Sequence, residues 1–268
     1  MRLAFSTLAF PSHPLDEVAH AGRDWGYEGI ELRLIDGELI DPATVDRDRV
    51  RRTIKDSGLA VTALDSSIRL TQDGAEQELR DFLELANAWE APSVRVFGGP
   101  VGDGGAERKE GLAAAARTLE ATAPVAERLG VQIGLETHDA FSASPLVAEV
   151  LAMVPSSSVG AVWDSHHPYR MGEQAAETFA NLGDRLTLAQ VKDARRSDDQ
   201  PSGWQLVLLG EGEVPVRDML RLLAASDYDD WVSVEWEKKW HPEIEEPEVA
   251  LPQHLELLRQ WLKEDQAG

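Results

Sequence analysis

The chain has 268 residues, 43% of them hydrophobic, enough for one large α/β domain or two small ones around a sizeable core. Its net charge of −22 disfavours nucleic acid as a partner, because so acidic a surface repels phosphates and no basic cluster exceeds "RDRVRR" at 47–52, which reads as a helix face. The absence of cysteine excludes disulfides and zinc–thiolate sites, so any metal must be held by histidine, carboxylate or amide oxygen.

No apolar run is long enough to cross a bilayer, and "MRLAFSTLAFPSHPLDE" turns acidic too early for a signal peptide. The expectation is a cytoplasmic protein with no membrane partner. From the N-terminus onward, short apolar or β-branched runs recur at "LAFS" (3–6), "GIELR" (29–33), "AVTALDS" (60–66) and "SVRVFGG" (93–99). They continue at "VQIGLETH" (131–138), "VGAVWDSHH" (159–167), "LTLAQVKD" (186–193) and "WVSVEWE" (231–237). The segments between them carry helical spacing: Leu79, Phe82, Leu83 and Ala86 share one face, as do Leu112, Ala115, Ala116, Leu119 and Ala123. Glycines that end helices stand just before strands in "DWGYEGI", "KDSGLAV" and "ERLGVQI". Eight strands alternating with helices in this length predict a single-domain (β/α)8 TIM barrel over residues 1–268. A doubly wound open sheet is the alternative, but "FSTLAFP" after the first strand is no phosphate-binding glycine loop.

In such a barrel the site lies at the C-terminal ends of the strands. There the sequence places Glu31 and Arg33, Asp65, Glu136 and His138, Asp164 and His167, Gln190 and Lys192, and Glu235 and Glu237. Residues two apart point the same way, so Gly134 and Ser233 lie beneath the glutamates, as a crowded interior requires. A lone carboxylate at a strand end is commonly a cap, and Asp164 could simply cap "SHHPYR". Four consecutive strands ending in oxygen donors are a stronger pattern, because converging carboxylates repel unless a cation sits among them. Such a set suits a hard divalent ion, manganese first, with magnesium, cobalt or zinc as alternatives.

The order of "GYEGIELR", "GLETHD", "VWDSHHPYR", "QVKDAR", "LLGEGEVP" and "VSVEWE" resembles the xylose isomerase-like superfamily of TIM barrels, across nearly the whole chain. That resemblance implies metal ligands at Glu136, Asp164, Gln190 and Glu235, with Gln190 standing where many relatives carry histidine. It further implies substrate binding by His167 and Arg196, and a catalytic acid–base pair of Glu136 and Glu235. His138, sharing the direction of Glu136, and Lys192 are further candidates for contacting substrate oxygens; Lys192 could instead pair with Asp193. The endonuclease branch would need histidines in "LDSSIR", "VRVFGG" and "DDQPSGWQLV", which have none.

The reaction so implied is isomerisation or epimerisation of a sugar or polyol through an enediolate, with proton transfer between the two glutamates. A keto-inositol-type dehydratase or related lyase on the same metal site is the alternative, as is a non-catalytic sugar-binding barrel. Homo-oligomers are frequent among such relatives. Trp204, Trp236 and Trp240 are candidates for stacking on a sugar, and the charged, proline-rich 236–253 reads as a loop over the barrel mouth.

Overall fold

The computed structural model describes residues 1–35 and 40–266. Seven strands come first: β1 (Arg2–Ser6), β2 (Gly29–Arg33), β3 (Ala60–Arg69), β4 (Ser93–Phe97), β5 (Gln132–Glu136), β6 (Val159–Asp164) and β7 (Leu186–Val191). A short pair, β8 (Asp193–Arg196) and β9 (Trp204–Val207), follows, and β10 (Trp231–Val234) is last. All but β8 and β9 are parallel and close into a barrel in the order β1-β10-β7-β6-β5-β4-β3-β2. The chain is therefore a (β/α)8 TIM barrel, as its alternating pattern predicts.

The helices are α1 (Leu15–Trp25), α2 (Arg47–Ser57), α3 (Ala75–Ala88), α4 (Gly105–Leu129) and α5 (Ser144–Met153), then α6 (His166–Arg170), α7 (Ala175–Leu182), α8 (Val216–Ala225) and α9 (Pro247–Gln266). Their apolar stripes pack on the barrel exterior; Leu79, Phe82, Leu83 and Ala86 of α3 and Leu112, Ala115 and Leu119 of α4 are buried there. The glycines expected to end helices do so in the left-handed conformation, at φ 103° for Gly26 and 68° for Gly130.

Two elements differ from the sequence expectation. The run at 186–193 is not one strand: β7 stops at Val191, and Asp193 opens the antiparallel β8–β9 pair, with Arg196 opposite Trp204. Lys192 turns into the carboxylate cluster and Asp193 accepts the N–H groups of Gly210, Gly212 and Val214, and this bends the chain over the mouth. The loop expected over 236–253 is shorter, because Pro247 starts α9, where a missing N–H costs no helical bond.

The barrel interior is filled by small side chains with one large ring. Ala4, Ala63, Val162, Leu188 and Trp231 form a buried cluster separate from the outer core. A Cβ added at Gly134 would meet Thr187 Oγ1 at 2.5 Å and Val162 Cγ2 at 2.6 Å, and one at Gly160 would meet the Arg185 carbonyl oxygen at 2.2 Å. No membrane-crossing helix occurs among the described residues.

Gly160→Ala is expected to cost about 1–3 kcal/mol, because the blocking atom belongs to the backbone and yields poorly. Gly104, with nothing within 4 Å of an added Cβ, is the control. Urea denaturation measures both, and a Gly160→Ala midpoint equal to wild type contradicts the packing account. A second expectation concerns His254, whose ring lies buried against Trp236 at 5.2 Å while Nδ1 meets the Ala250 carbonyl at 2.6 Å. Burial pushes its pKa from 6.5 down to about 4. Unfolded chains take up that proton first, so the contribution of a neutral His254 is complete above the unfolded pKa and is lost as pH falls toward 4. In full this is about 3 kcal/mol. The stability difference between wild type and His254→Leu should shift by about that amount, in favour of the variant, from about pH 8 to about pH 4. A difference that stays constant with pH would count against a neutral buried imidazole.

Candidate active site

β6 shows how one strand builds the site. Val159 to Asp164 is wholly buried, and the chain then coils into the single turn of α6. Asp164 Oδ1 accepts the backbone N–H groups of His166 at 2.8 Å and His167 at 2.9 Å, satisfying donors that the new turn leaves open. Oδ2 accepts no hydrogen bond and faces the other carboxylates. The capping role expected of Asp164 is thus filled by Oδ1, and Oδ2 is left facing the carboxylate cluster.

Glu136, Asp164 and Glu235 each offer an oxygen, all within 4.8 Å of one another, and all three residues are buried. Gln190 lies beside Asp164 in the β6–β7 register and beside Ser233 in the β7–β10 register. Its Nε2 donates to Glu31 Oε1 at 2.7 Å, which fixes the amide so that Oε1 is the group left over. That Oε1, both oxygens of Glu136 and Oδ2 of Asp164 are buried without an aligned hydrogen bond, although Lys192 Nζ and Arg95 Nε approach Asp164 Oδ2 and Glu136 Oε2 as ionic partners. Several orphaned acceptors in one place are costly unless a cation completes them. Three carboxylates and an amide oxygen form a donor set for a hard divalent ion, and the expected ligands fit one on this ground.

Protein cations share the same space. Lys192 Nζ lies 3.1 Å from Asp164 Oδ2 and 2.5 Å from Glu235 Oε2, and it also contacts Glu237 Oε1. Burial would pull the Lys192 ammonium down, but Asp164, Glu235 and Glu237 together hold it well above its ordinary range. Its expected alternative partner is otherwise engaged: Asp193 accepts N–H groups from Ala194, Gly210, Gly212 and Val214, and so anchors the "LGEGEVP" turn. Arg95 of β4 was not singled out from the sequence, although a charge inside "SVRVF" was a signal for it. Its Nε lies 3.0 Å from Glu136 Oε2 and its Nη2 3.5 Å from Asp65 Oδ2; the first is an ionic approach without hydrogen-bond alignment.

These neighbours set the protonation states. Burial pushes Glu136 up to about 7, with Arg95 and then His138 pulling against it. Glu31 is held well above the carboxylate range, by burial first and then by Asp65. Burial lowers His138, but Glu136 and Asp139 outweigh it, so its pKa is raised. His167 is held well below its ordinary value by burial and then by Lys192, and His166 falls to about 3 for the same causes.

The imidazoles line one wall. Ring centroids lie 4.5 Å apart for Phe97 and His138, 4.6 Å for His138 and His167, and 5.2 Å for His166 and Trp204. Arg196, exposed at the end of β8, lies 4.7 Å over the Trp204 ring, so it borders this wall and is not among the carboxylates. Of the other tryptophans, Trp236 is a core residue whose Nε1 donates to the Glu245 carbonyl, and Trp240 is half exposed.

Comparisons with known proteins agree with this architecture. Fructoselysine 3-epimerase of Escherichia coli O157:H7 is 27% identical over 156 residues, 56% of this chain and 54% of that protein, so the chain spans about half the length of the curated relatives it matches. The IOLI protein, solved with a bound zinc atom, superposes with a TM-score of 0.81 at 20% identity over 98% of this chain and 99% of that one. The probable 3-DHS dehydratase AsbF of Bacillus anthracis superposes with a TM-score of 0.78 at 20% identity over 97% and 99%. At such identities these two structures establish the fold alone. The family model described as Xylose isomerase-like TIM barrel matches residues 19–261, and the chain belongs to that family.

Proposed function

We propose that this barrel is a divalent-metal-dependent isomerase or epimerase of a sugar or polyol. The observation that carries the reading is the convergence of Glu136, Asp164 and Glu235 within 4.8 Å, with donorless buried oxygens on Glu136, Asp164 and Gln190. Glu136, Asp164, Gln190 and Glu235 would hold the ion. When bound, it supplies Lewis acidity toward substrate oxygens.

The remaining chemistry belongs to the chain. A proton beside a carbonyl leaves carbon for one glutamate, and the other glutamate returns a proton to the same carbon from the opposite face, or to its neighbour. Burial holds Glu136 up at about 7 without a metal, and a bound divalent ion would draw it back toward the ionised form that accepts a proton. His138, its pKa raised by Glu136 and Asp139, sits beside Glu136 and is placed to donate to a substrate oxygen, while the neutral His167 lies in the same wall. Lys192 and Arg196 complete the substrate-facing set. The likeness to a 3-epimerase over 56% of the chain supports this order of steps, since 3-epimerisation of a 2-ketose begins by removing a proton beside a carbonyl.

One observation favours a dehydratase as the second reading. His138 and His167 lie next to Glu136, so a proton donor is available to a hydroxyl departing from the neighbouring carbon. The same proton removal would then end in loss of water, and a probable dehydratase shares the fold. A purely sugar-binding barrel has no need of the paired, buried Glu136 and Glu235.

Protein purified without chelator should contain near-stoichiometric manganese, magnesium, cobalt or zinc by mass spectrometry, and Glu235→Gln should lose it. No metal in wild type, and none taken up from added Mn²⁺, would remove the proposal. With ketoses and keto-polyols in D₂O, deuterium should enter at the carbon beside the carbonyl, and Glu136→Gln should slow this by roughly 10²–10⁴-fold. An unsaturated, ultraviolet-absorbing product in place of an epimer would select the dehydratase reading.

A further inference from the structure

The Lys192 ammonium stands on oxygens that a divalent ion would need. Its Nζ contacts Asp164 Oδ2, Glu235 Oε2 and Glu237 Oε1, and its side chain is 1% exposed. Asp164 cannot offer its other oxygen instead, because Oδ1 is fixed by the N–H groups of His166 and His167. An ammonium and a divalent ion sharing two carboxylates within a few ångströms repel strongly in a buried site.

The third partner differs from the first two. Glu237 lies beyond the end of β10, is 18% exposed, and is absent from the oxygen triad of Glu136, Asp164 and Glu235. Its Oε1 meets Lys192, and its Oε2 lies 3.7 Å from Nε2 of the partly exposed His241. A lysine has three rotatable donors on a flexible stem, and its head can leave two acceptors while keeping the third.

We propose that Lys192 is the resident cation of the metal-free site, and that metal entry shifts its ammonium off Asp164 and Glu235 onto Glu237. The proposal rests on the metal-dependent reading above. Lys192 then has two positions: in the metal-free protein it neutralises the carboxylates that would otherwise repel one another, and in the loaded protein it stands at the mouth, turned toward substrate. Glu237 is the carboxylate that makes the second position available.

The test is calorimetric titration of Mn²⁺ into the chelator-treated full chain, as wild type, Lys192→Met, Glu237→Gln and the double variant, with melting curves for each. Lys192→Met should bind Mn²⁺ at least about tenfold tighter, melt lower than wild type without metal, and recover on Mn²⁺ addition. Glu237→Gln should bind about tenfold weaker, and that loss should disappear in the Lys192→Met background. Equal or weaker binding by Lys192→Met overturns the proposal while leaving the metal reading intact. So does a Glu237→Gln loss of the same size in both backgrounds, since Glu237 would then act on the ion directly. Failure of wild type and Lys192→Met alike to bind Mn²⁺ overturns both. If Lys192→Met does not fold, Lys192→Arg replaces it: a forked cation grips the carboxylates harder and should weaken Mn²⁺ binding about tenfold, and unchanged or tighter binding overturns the proposal.

Discussion

Burying carboxylates at one end of a barrel is the constraint on which the rest of this structure depends. Glu31, Asp65, Glu136, Asp164 and Glu235 are all buried at the C-terminal ends of strands, where each charge loses its water and feels the others. Lys192 and Arg95, themselves 1% exposed, supply two of the balancing charges, and Arg33 a third at the rim. Below them, among the described residues, the barrel carries no charge; Ala4, Ala63, Val162, Leu188 and Trp231 fill it, with Thr62 and Thr187 packed among them. The molecule thus separates its two tasks by depth. An apolar lower layer closes the barrel, and a charged upper layer holds groups that an apolar core alone could not stabilise. The net charge of −22 belongs to the whole surface and says little about this mouth, where Lys192, Arg95, Arg33 and Arg196 gather.

The barrel was legible because its signals are local and repeated: strand runs of similar length, helical stripes, and glycines before strands. The oxygen donors were legible for a related reason, since a strand that ends its apolar run in Glu136, Asp164 or Glu235 shows the exit from the core in sequence. Arg95 was not, because an arginine two residues from the end of "SVRVF" becomes meaningful only once Glu136 and Asp65 are known to lie on either side of it. The true partners of Lys192 were hidden likewise. Asp193 is next to it in sequence but points into the "LGEGEVP" turn, while Glu235 and Glu237 are distant in sequence and near in space. The β8–β9 pair escaped notice because "DARR" and "WQLV" are short and their pairing is set by where β7 ends, not by their own periodicity.

Each donor around the proposed metal position does two jobs with two different atoms. Asp164 binds the start of α6 with Oδ1 and keeps Oδ2 for the cluster; Gln190 binds Glu31 through Nε2 and keeps Oε1; Glu136 meets Arg95 with Oε2 and keeps Oε1. A carboxylate or amide held by one atom cannot rotate to satisfy the other, so the unsatisfied atoms stay aimed inward in the folded chain. That is preorganisation: orientation is fixed by folding, before any ligand arrives. An amide has a donor to anchor and an acceptor to present, and here Nε2 is anchored on Glu31 Oε1 while Oε1 is left without a donor. Under the proposed metal reading Gln190 would offer oxygen where a histidine would offer nitrogen, a donor that hard divalent ions match better than softer ones.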